Sequence, residues 1–268
     1  RWYRNPLLAV KPNCHRRTAG QKYRSDVMSW NVYASSVIGS GHRQNNLPCQ
    51  DAFCYRNMGE RLIAVVCDGA GSAACSEQGA ALVARELADA LAAFTHEPDD
   101  AQLLALVASV REAVLLRARE QARCAGDFAC TVLAVWLGEH ASVVLHIGDG
   151  TAALTFDAGQ HFSLPENGEY ANQTWFLTSE DWREHLRVRR FTGRAMQLVM
   201  MSDGVQPFAL TRRGDALFSP FMDPVLRYLR QVGETEGSKA IRATLDDPRT
   251  WAITDDDKTL LVALRHEV

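Results

Sequence analysis

The chain has 268 residues, of which 47% are hydrophobic and 23% are charged, as is typical of a globular protein long enough to bury a sizeable core. No run of about 18 apolar residues occurs, so the sequence predicts no membrane association. The net charge is 29 − 32 = −3; residues 1–30 carry 7 − 1 = +6, which leaves −9 for residues 31–268 and makes nucleic acid a poor partner.

The first 28 residues differ from the rest of the chain. They are basic, contain two prolines, show no clear apolar period and lack the apolar core of a signal peptide. We expect a disordered or non-native extension here, and a basic arm for an acidic partner is the alternative. Residues 29–268 are expected to form a single domain.

The chain contains seven cysteines, an odd number, and none of them belongs to a Cys-x-x-Cys pair. Neither a disulfide framework nor a zinc site fits this pattern. We therefore expect reduced thiols and a cytoplasmic location.

Strands and helices follow one another from residue 30 onwards. Apolar runs predict strands at 30–38, 52–56, 62–67, 130–137, 142–147, 151–156, 198–201 and 260–264. Apolar stripes at helical spacing predict one helix through Val83, Leu87, Ala90 and Phe94, a second through Leu103, Val107, Val110 and Val114, and two more near 223–232 and 238–245. Short links between neighbouring strands favour an antiparallel sheet covered by helices.

Two segments have no such pattern. Residues 39–48 are predicted to form a long polar loop, and residues 159–194 are predicted to be polar and irregular.

Carboxylates recur at the ends of the predicted strands. They are Asp68, Asp149, Asp203 and the pair Asp256–Asp257, and Asp51 lies at a strand entrance. Each Asp-Gly pair alone is more often a turn, and the run of three aspartates at 255–257 is more often a solvated loop. Several converging carboxylates, however, repel one another unless a cation is present, and Mg²⁺ or Mn²⁺ prefers such oxygen ligands. The absence from the sequence of Walker, dinucleotide and nucleophile-elbow motifs favours a metal-binding hydrolase.

Five motifs in order resemble those of the metal-dependent type 2C (PPM) serine/threonine protein phosphatases. They are Asn-Asn-Leu-Pro-Cys-Gln-Asp-Ala at 45–52, Ala-Val-Val-Cys-Asp-Gly-Ala-Gly-Ser at 64–72, Ile-Gly-Asp at 147–149, Met-Ser-Asp-Gly-Val at 201–205 and the segment 255–261. Further details, such as Gly41-His42 and Thr-Asp-Asp-Asp-Lys-Thr-Leu at 254–260, are similar to a bacterial subgroup that includes enterobacterial protein phosphatase C.

This resemblance implies an α+β fold with two stacked antiparallel sheets flanked by helix pairs, a metal cleft at one end and a flap region near 159–194. It implies that Asp68 bridges two Mn²⁺ or Mg²⁺ ions and that the carbonyl of Gly69 binds the second ion. Asp203 and Asp256 correspond to ligands of the first ion.

Two further carboxylates have less central roles by the same resemblance. Asp51 corresponds to a position that orients metal-bound water or touches an ion. Asp149, together with Asp203, corresponds to a looser third-metal site.

In the flap, Asn172 and Thr174 either shape substrate access or stabilise a turn.

The sequence also departs from the wider family. Gln50 stands where many members have Glu, Asn46 where an Arg often binds the substrate phosphate, and Ala70 where eukaryotic members have a His. His42 or Arg43 could replace the missing Arg, and His42 could also serve as the acid for the leaving group.

The function implied is hydrolysis of phosphoserine and phosphothreonine on a protein partner, by attack of a metal-activated water on phosphorus. The partner is expected to be a cognate Ser/Thr kinase or its target. The alternative is a metal-binding regulatory module of low turnover that recognises phosphoprotein without cleaving it.

Overall fold

The protein is described by a computed structural model that covers residues 29–165 and 174–266. The predicted extension at 1–28 and the flap residue Asn172 lie outside the described residues.

Two five-stranded antiparallel sheets form the centre of the fold. The strands in chain order are β1 (Ser29–Val37), β2 (Ala52–Met58), β3 (Arg61–Cys67), β4 (Val132–Leu137), β5 (Ala141–Ile147), β6 (Thr151–Phe156), β7 (Gly159–Ser163), β8 (Arg187–Thr192), β9 (Ala195–Met201) and β10 (Lys258–His266). One sheet has the order β1-β10-β9-β6-β7, and the other has the order β2-β3-β4-β5-β8.

The central strands are buried on both faces, which explains their continuous apolar sequences. In β3, Leu62, Ala64 and Val66 belong to the core between the two sheets. Ile63 and Val65 on the opposite face belong to the core beneath the helices. Because side chains alternate along a strand, an uninterrupted apolar run is needed to fill both cores.

Helices cover the outer face of each sheet. The helices in the described part of the chain are α1 (Ser40–Gln44), α2 (Ser76–Ala92), α3 (Asp100–Glu120), α4 (Trp182–His185), α5 (Gln206–Ala209), α6 (Ser219–Leu229), α7 (Glu234–Leu245) and α8 (Pro248–Trp251). Buried residues of α2 and α3 share a core with the β3 sheet, and those of α6 and α7 share a core with the β10 sheet. The predicted stripe of α3 is buried as expected, whereas in the α2 stripe Val83 and Leu87 are buried and Phe94 lies beyond the end of the helix.

Two predictions about irregular segments were wrong. The loop at 39–48 contains the short helix α1, and the segment 159–194 contains β7, α4 and β8. Both β7 and β8 are edge strands, and β8 carries three arginines among its six residues. Edge strands are commonly polar, so they lack the apolar run by which the central strands were recognised.

Six cysteines fall within the described residues, and no disulfide joins any two of them. The reduced state expected from the sequence therefore agrees with this part of the chain. Among the described residues, no helix combines the length and the apolar content that a membrane span requires.

Candidate metal centre

The predicted carboxylates converge because their strands end at the same end of the sandwich. Asp68 follows β3 and Asp149 follows β5, while Asp203 follows β9 and Asp256 precedes β10. These four residues line a single cleft, together with His42 and Asp257.

The segment after β3 is fixed by pairing with the segment before β4. The Asp68 amide donates to Thr131 Oγ1 at 2.9 Å, and the Thr131 amide donates to the Asp68 carbonyl at 2.8 Å. Gly69 is buried and forms an isolated antiparallel bridge with Cys130. Thr131 lies within the strand predicted at 130–137 and directly precedes β4, and the sequence did not predict it as a site residue.

Asp149 occupies a tight turn between β5 and β6. The preceding Gly148 has a φ of +106°, and a Cβ atom there would lie 2.6 Å from Thr131 Cγ2, so only glycine fits without strain. Thr174 Oγ1 donates to Asp149 Oδ2 at 2.5 Å, while Asp149 Oδ1 is buried without a hydrogen-bond partner among the described residues. The Gln206 side-chain amide donates to the Asp149 carbonyl at 2.5 Å. The described flap residue Thr174 therefore contacts a cleft carboxylate.

Asp203 begins a single 3₁₀ turn directly after β9. A Cβ atom on Gly204 would lie only 2.0 Å from the Asp257 carbonyl oxygen, so the glycine allows the segment before β10 to approach closely. This approach places Asp203 and Asp256 on the same cleft.

Three carboxylates form a compact group. Asp68, Asp149 and Asp203 each offer an oxygen, and these oxygens all lie within 4.8 Å of one another. Burial, followed by the charges of Asp51 and Asp203, raises the pKa of Asp68 well above its ordinary value. Burial and the charge of Asp149 raise the pKa of Asp203 to about 6. No lysine, arginine or histidine in the described part of the chain forms an ion pair with these three carboxylates, so a cation would relieve the repulsion.

Asp256 belongs to the same cleft but not to the compact group of three. Asp256 is exposed to solvent. Its partial burial, followed by the charges of Asp255 and Asp257, raises the pKa of its carboxyl group. The sequence predicted that Asp256 acts beside Asp203, and the two line one cleft. The compact group contains Asp149 beside Asp203, the two residues that the resemblance assigns to a looser third-metal site.

Asp51 lies deeper than the cleft wall. Its Oδ2 accepts hydrogen bonds from Ser202 Oγ and Thr259 Oγ1, both at 2.7 Å, while its Oδ1 is buried without a hydrogen-bond partner among the described residues. Burial raises the pKa of Asp51 to about 7, and the hydroxyl of Thr259 partly opposes this rise. One oxygen is thus used to join β2, β9 and β10, and the other remains available.

Asp257 also lines the cleft, although the sequence favoured Asp256 as the ligand in the run of three aspartates. It is buried and accepts hydrogen bonds from the amides of Gly39 and Gln50, at 2.6 and 2.5 Å. The same carboxylate lies 2.9 Å from Nδ1 of His42. In this arrangement the Asp257 carboxylate holds the imidazole, whose Nε2 is on the side facing Gly71 across the cleft.

Arg43, one of the two residues that could replace the missing phosphate-binding arginine, is engaged away from the cleft. The Arg43 guanidinium donates to Asp246 at 2.8 Å and lies 5.1 Å from the centre of the Trp251 ring. Arg43 does not line the cleft, and Asn46 is exposed at a φ of +55°. Of the alternatives raised by the sequence, only His42 faces the cleft.

The thiol next to Asp68 is not a competing nucleophile. Cys67 is fully buried, and burial together with the neighbouring Cys130 raises its pKa well above the ordinary thiol value. A thiol in that state is a poor nucleophile at neutral pH.

The residues of the cleft fit a hard divalent cation. The compact group offers only carboxylate oxygens, and buried oxygens of Asp51 and Asp149 have no hydrogen-bond partner among the described residues. Crowded anionic oxygens of this kind suit Mg²⁺ or Mn²⁺, which retain some of their water ligands.

Comparison with known proteins decides the family. Residues 38–246 match the family described as protein phosphatase 2C. The chain belongs to this family. Among its relatives, Serine/threonine-protein phosphatase 3 of Escherichia coli K12 is 32% identical over 253 residues, which cover 88% of this chain and 99% of that protein.

Solved structures share the protein phosphatase 2C fold. The catalytic domain of the serine/threonine protein phosphatase PstP, in complex with two manganese ions, superposes with a TM-score of 0.62 at 18% identity and covers 89% of this chain and 99% of its own. Serine/threonine phosphatase Stp1 from Staphylococcus aureus superposes with a TM-score of 0.59 at 15% identity, over 92% of this chain and 99% of its own.

These findings confirm the family, the α+β fold class and the enzyme class predicted from the motifs. The protein is a metal-dependent protein serine/threonine phosphatase, and the substrates of such an enzyme are phosphoproteins. None of the relatives described here favours the regulatory module of low turnover.

The crowded carboxylates predict that metal-free protein is more stable when one charge is removed. Because Asp203 has a raised pKa in the fold, it binds a proton that the unfolded chain releases. Stability therefore falls as the pH rises from 3.8 to about 6, and it stays low above that window. In EDTA at pH 7, Asp203→Asn should raise the free energy of unfolding by on the order of 1–3 kcal/mol.

Urea denaturation at pH 4 and pH 7 measures this effect. The gain should be much smaller at pH 4, and added Mn²⁺ should stabilise the parent protein more than Asp203→Asn. An Asp203→Asn protein that is less stable than the parent in EDTA at pH 7 would contradict the repulsion argument.

Proposed function

We propose that this phosphatase hydrolyses phosphoserine and phosphothreonine on protein substrates at the cleft formed by Asp68, Asp149 and Asp203, with Mn²⁺ or Mg²⁺ as the resident ions. The observation that carries the proposal is the group of three carboxylates within 4.8 Å at the bottom of an open cleft. A purely structural site has no need of such a concentration of uncompensated charge.

Specific residues would hold the ions. Asp68 is proposed to bridge two of them, because it offers an oxygen within 4.8 Å of oxygens of both Asp149 and Asp203 and its backbone is fixed by Thr131. The carbonyl of Gly69 is proposed as a ligand of the second ion, and Asp203 with Asp256 as ligands of the first. When bound, such ions supply a water molecule of lowered pKa and offset the charge of the phosphoryl oxygens.

Two further carboxylates would support this arrangement. Asp149 is proposed to share a third ion with Asp203. Two observations support this: Asp149 and Asp203 offer oxygens within 4.8 Å of each other, and Asp149 Oδ1 has no hydrogen-bond partner among the described residues. Asp51 is proposed to orient a water molecule or touch an ion through Oδ1, since Oδ2 is occupied by Ser202 and Thr259. Both roles use an oxygen that has no hydrogen-bond partner among the described residues.

His42 is proposed as the proton donor to the leaving group. Asp257 holds Nδ1 at 2.9 Å, which leaves Nε2 directed toward the cleft. A serine or threonine alkoxide is a poor leaving group, so a donor at this position is useful. Asp257 acts here as a positioning residue, held in turn by the amides of Gly39 and Gln50.

The cellular role follows from the substrate class. We propose a cytoplasmic enzyme that opposes a cognate Ser/Thr kinase by dephosphorylating either the kinase or its target. The free thiols are consistent with a reducing compartment. The role in signalling rests on this pairing with a kinase.

Replacement of the proposed bridging carboxylate should abolish turnover. Asp68→Asn removes one negative charge but keeps the shape of the side chain, so Mn²⁺-dependent hydrolysis of p-nitrophenyl phosphate should fall to the level seen in EDTA. Circular dichroism should show an unchanged fold. Asp157→Asn, at an exposed turn between β6 and β7, is the matched control and should keep full activity. Full activity of folded Asp68→Asn protein would refute the metal assignment.

The role of His42 can be separated from metal binding by the choice of leaving group. His42→Ala should lower kcat on a phosphoserine peptide by about 100-fold or more. The loss on p-nitrophenyl phosphate should be much smaller, because p-nitrophenolate leaves without protonation. His140→Ala, on the exposed β4–β5 turn, should change neither rate.

An equal loss on both substrates in the His42→Ala protein would show that His42 holds the phosphate or the shape of the site. It would exclude the assignment as a leaving-group acid. Phosphate release with both substrates, over a range of pH, provides the measurement.

A further inference from the structure

A groove beside α5 opens directly from the metal cleft. Its walls include Leu164, Gln206 and Leu210, and its volume is about 490 Å³. Asp203 lines both the groove and the metal cleft, and Gln206 donates a hydrogen bond to the carbonyl of Asp149. A peptide whose phosphorylated residue occupied the cleft could therefore continue into the groove.

A short turn fixes the outer rim of this groove. The Gly214 amide donates to the Thr211 carbonyl at 2.8 Å, which makes Arg212 and Arg213 the two central residues of a β-turn. Thr211 also joins Ala216 through its amide, at 2.9 Å, and Leu210 pairs with Leu217 at the base of the turn. The turn is thus held in place by its own backbone, and the arginines are not needed to maintain it.

The two arginines carry charge that the described part of the chain does not neutralise. Both side chains are exposed and line the groove, and neither takes part in a hydrogen bond or an ion pair with the described residues. The nearest acidic residue in the turn, Asp215, accepts a hydrogen bond from the Thr211 hydroxyl at 2.9 Å instead. These two cations lie close to a strongly acidic cleft, with which they share the groove residue Asp203.

We propose that Arg212 and Arg213, which we call the basic rim, select substrates that carry acidic side chains next to the phosphorylated serine or threonine. This inference rests on the proposed function. With the phosphate held at the metal centre, Asp, Glu or a second phosphorylated residue nearby in the peptide would reach the two guanidinium groups. The basic rim does not contact the transferred phosphate, so it affects selection among peptides and not the chemical step.

The size of the effect follows from the exposure of the arginines. Ion pairs at exposed positions are weak, so two of them should give an acidic peptide an advantage of about three- to tenfold in kcat/KM. The advantage should appear mainly in KM, and it should shrink as salt screens the charges.

The test compares three phosphoserine peptides of equal length, with neutral, acidic or basic residues on both sides of the phosphoserine. Phosphate release by the Mn²⁺-loaded full chain gives kcat/KM for each peptide, and p-nitrophenyl phosphate reports on the metal centre alone. The variant is Arg212→Gln/Arg213→Gln, which removes both charges without adding negative charge near Asp203. The matched control is Lys239→Gln/Arg242→Gln on α7, where two exposed cations lie outside both the cleft and the groove.

The parent protein and the α7 variant should prefer the acidic peptide, and the Arg212→Gln/Arg213→Gln variant should lose that preference. Its rates on p-nitrophenyl phosphate and on the neutral peptide should stay within about twofold of the parent. The proposal is overturned if the parent shows no preference, or if the preference survives in the variant. An equal loss on p-nitrophenyl phosphate would also overturn it, since the arginines would then act on the transferred phosphate. Absence of metal-dependent turnover on every substrate would refute the proposed function itself.

Discussion

The repulsion among carboxylates at the end of the sandwich is the interaction on which the site depends. Asp68, Asp149 and Asp203 meet within 4.8 Å, and burial and mutual repulsion raise the pKa of Asp68 and Asp203. The arrangement is unfavourable without a cation, and it persists because each residue is attached to a strand that is fixed by packing on both faces. The free energy of the apolar cores therefore maintains a site that would otherwise spread apart.

The aspartates of this region divide into two kinds by their hydrogen bonds. Asp257 accepts three hydrogen bonds from Gly39, Gln50 and His42, and Asp51 uses Oδ2 to join β9 and β10. These two act as internal connections. Asp203 has the Gly204 amide as a donor, but neither Asp68 nor Asp203 accepts a comparable set of hydrogen bonds from the described residues, which suits them to a metal ion that provides positive charge.

The sequence could predict the location of the site because its signal is local. Asp68, Asp149 and Asp203 each follow a buried apolar strand and sit beside a glycine, and that pattern is visible without the fold. The relation between them is not local. The approach of Asp149 to Asp68 and Asp203 depends on the turn at Gly148, which packs against Thr131. Spacing along the chain carries no information about that contact.

The same limit explains why Asp257 was passed over and why the edge strands were missed. In a run of three aspartates, the identity of the buried one depends on the amides of Gly39 and Gln50, about 200 residues earlier in the chain, which approach only in the folded protein. The edge strands β7 and β8 each have a partner on one side alone, so they need no continuous apolar sequence.

The cleft and the basic rim have different tasks: the cleft binds the phosphoryl group, and the basic rim selects among substrate proteins. Among the described residues lining the cleft there is no lysine or arginine, since Arg43 is engaged by Asp246 and Trp251 and the expected arginine is Asn46. The protein alone would repel a phosphate, so capture of the phosphoryl group depends on the bound ions. Such ions would bind the phosphoryl group of any phosphorylated residue equally well. Discrimination among proteins must then come from outside the cleft. Arg212 and Arg213 line the adjoining groove, have no ion-pair partner among the described residues and are positioned to provide this discrimination.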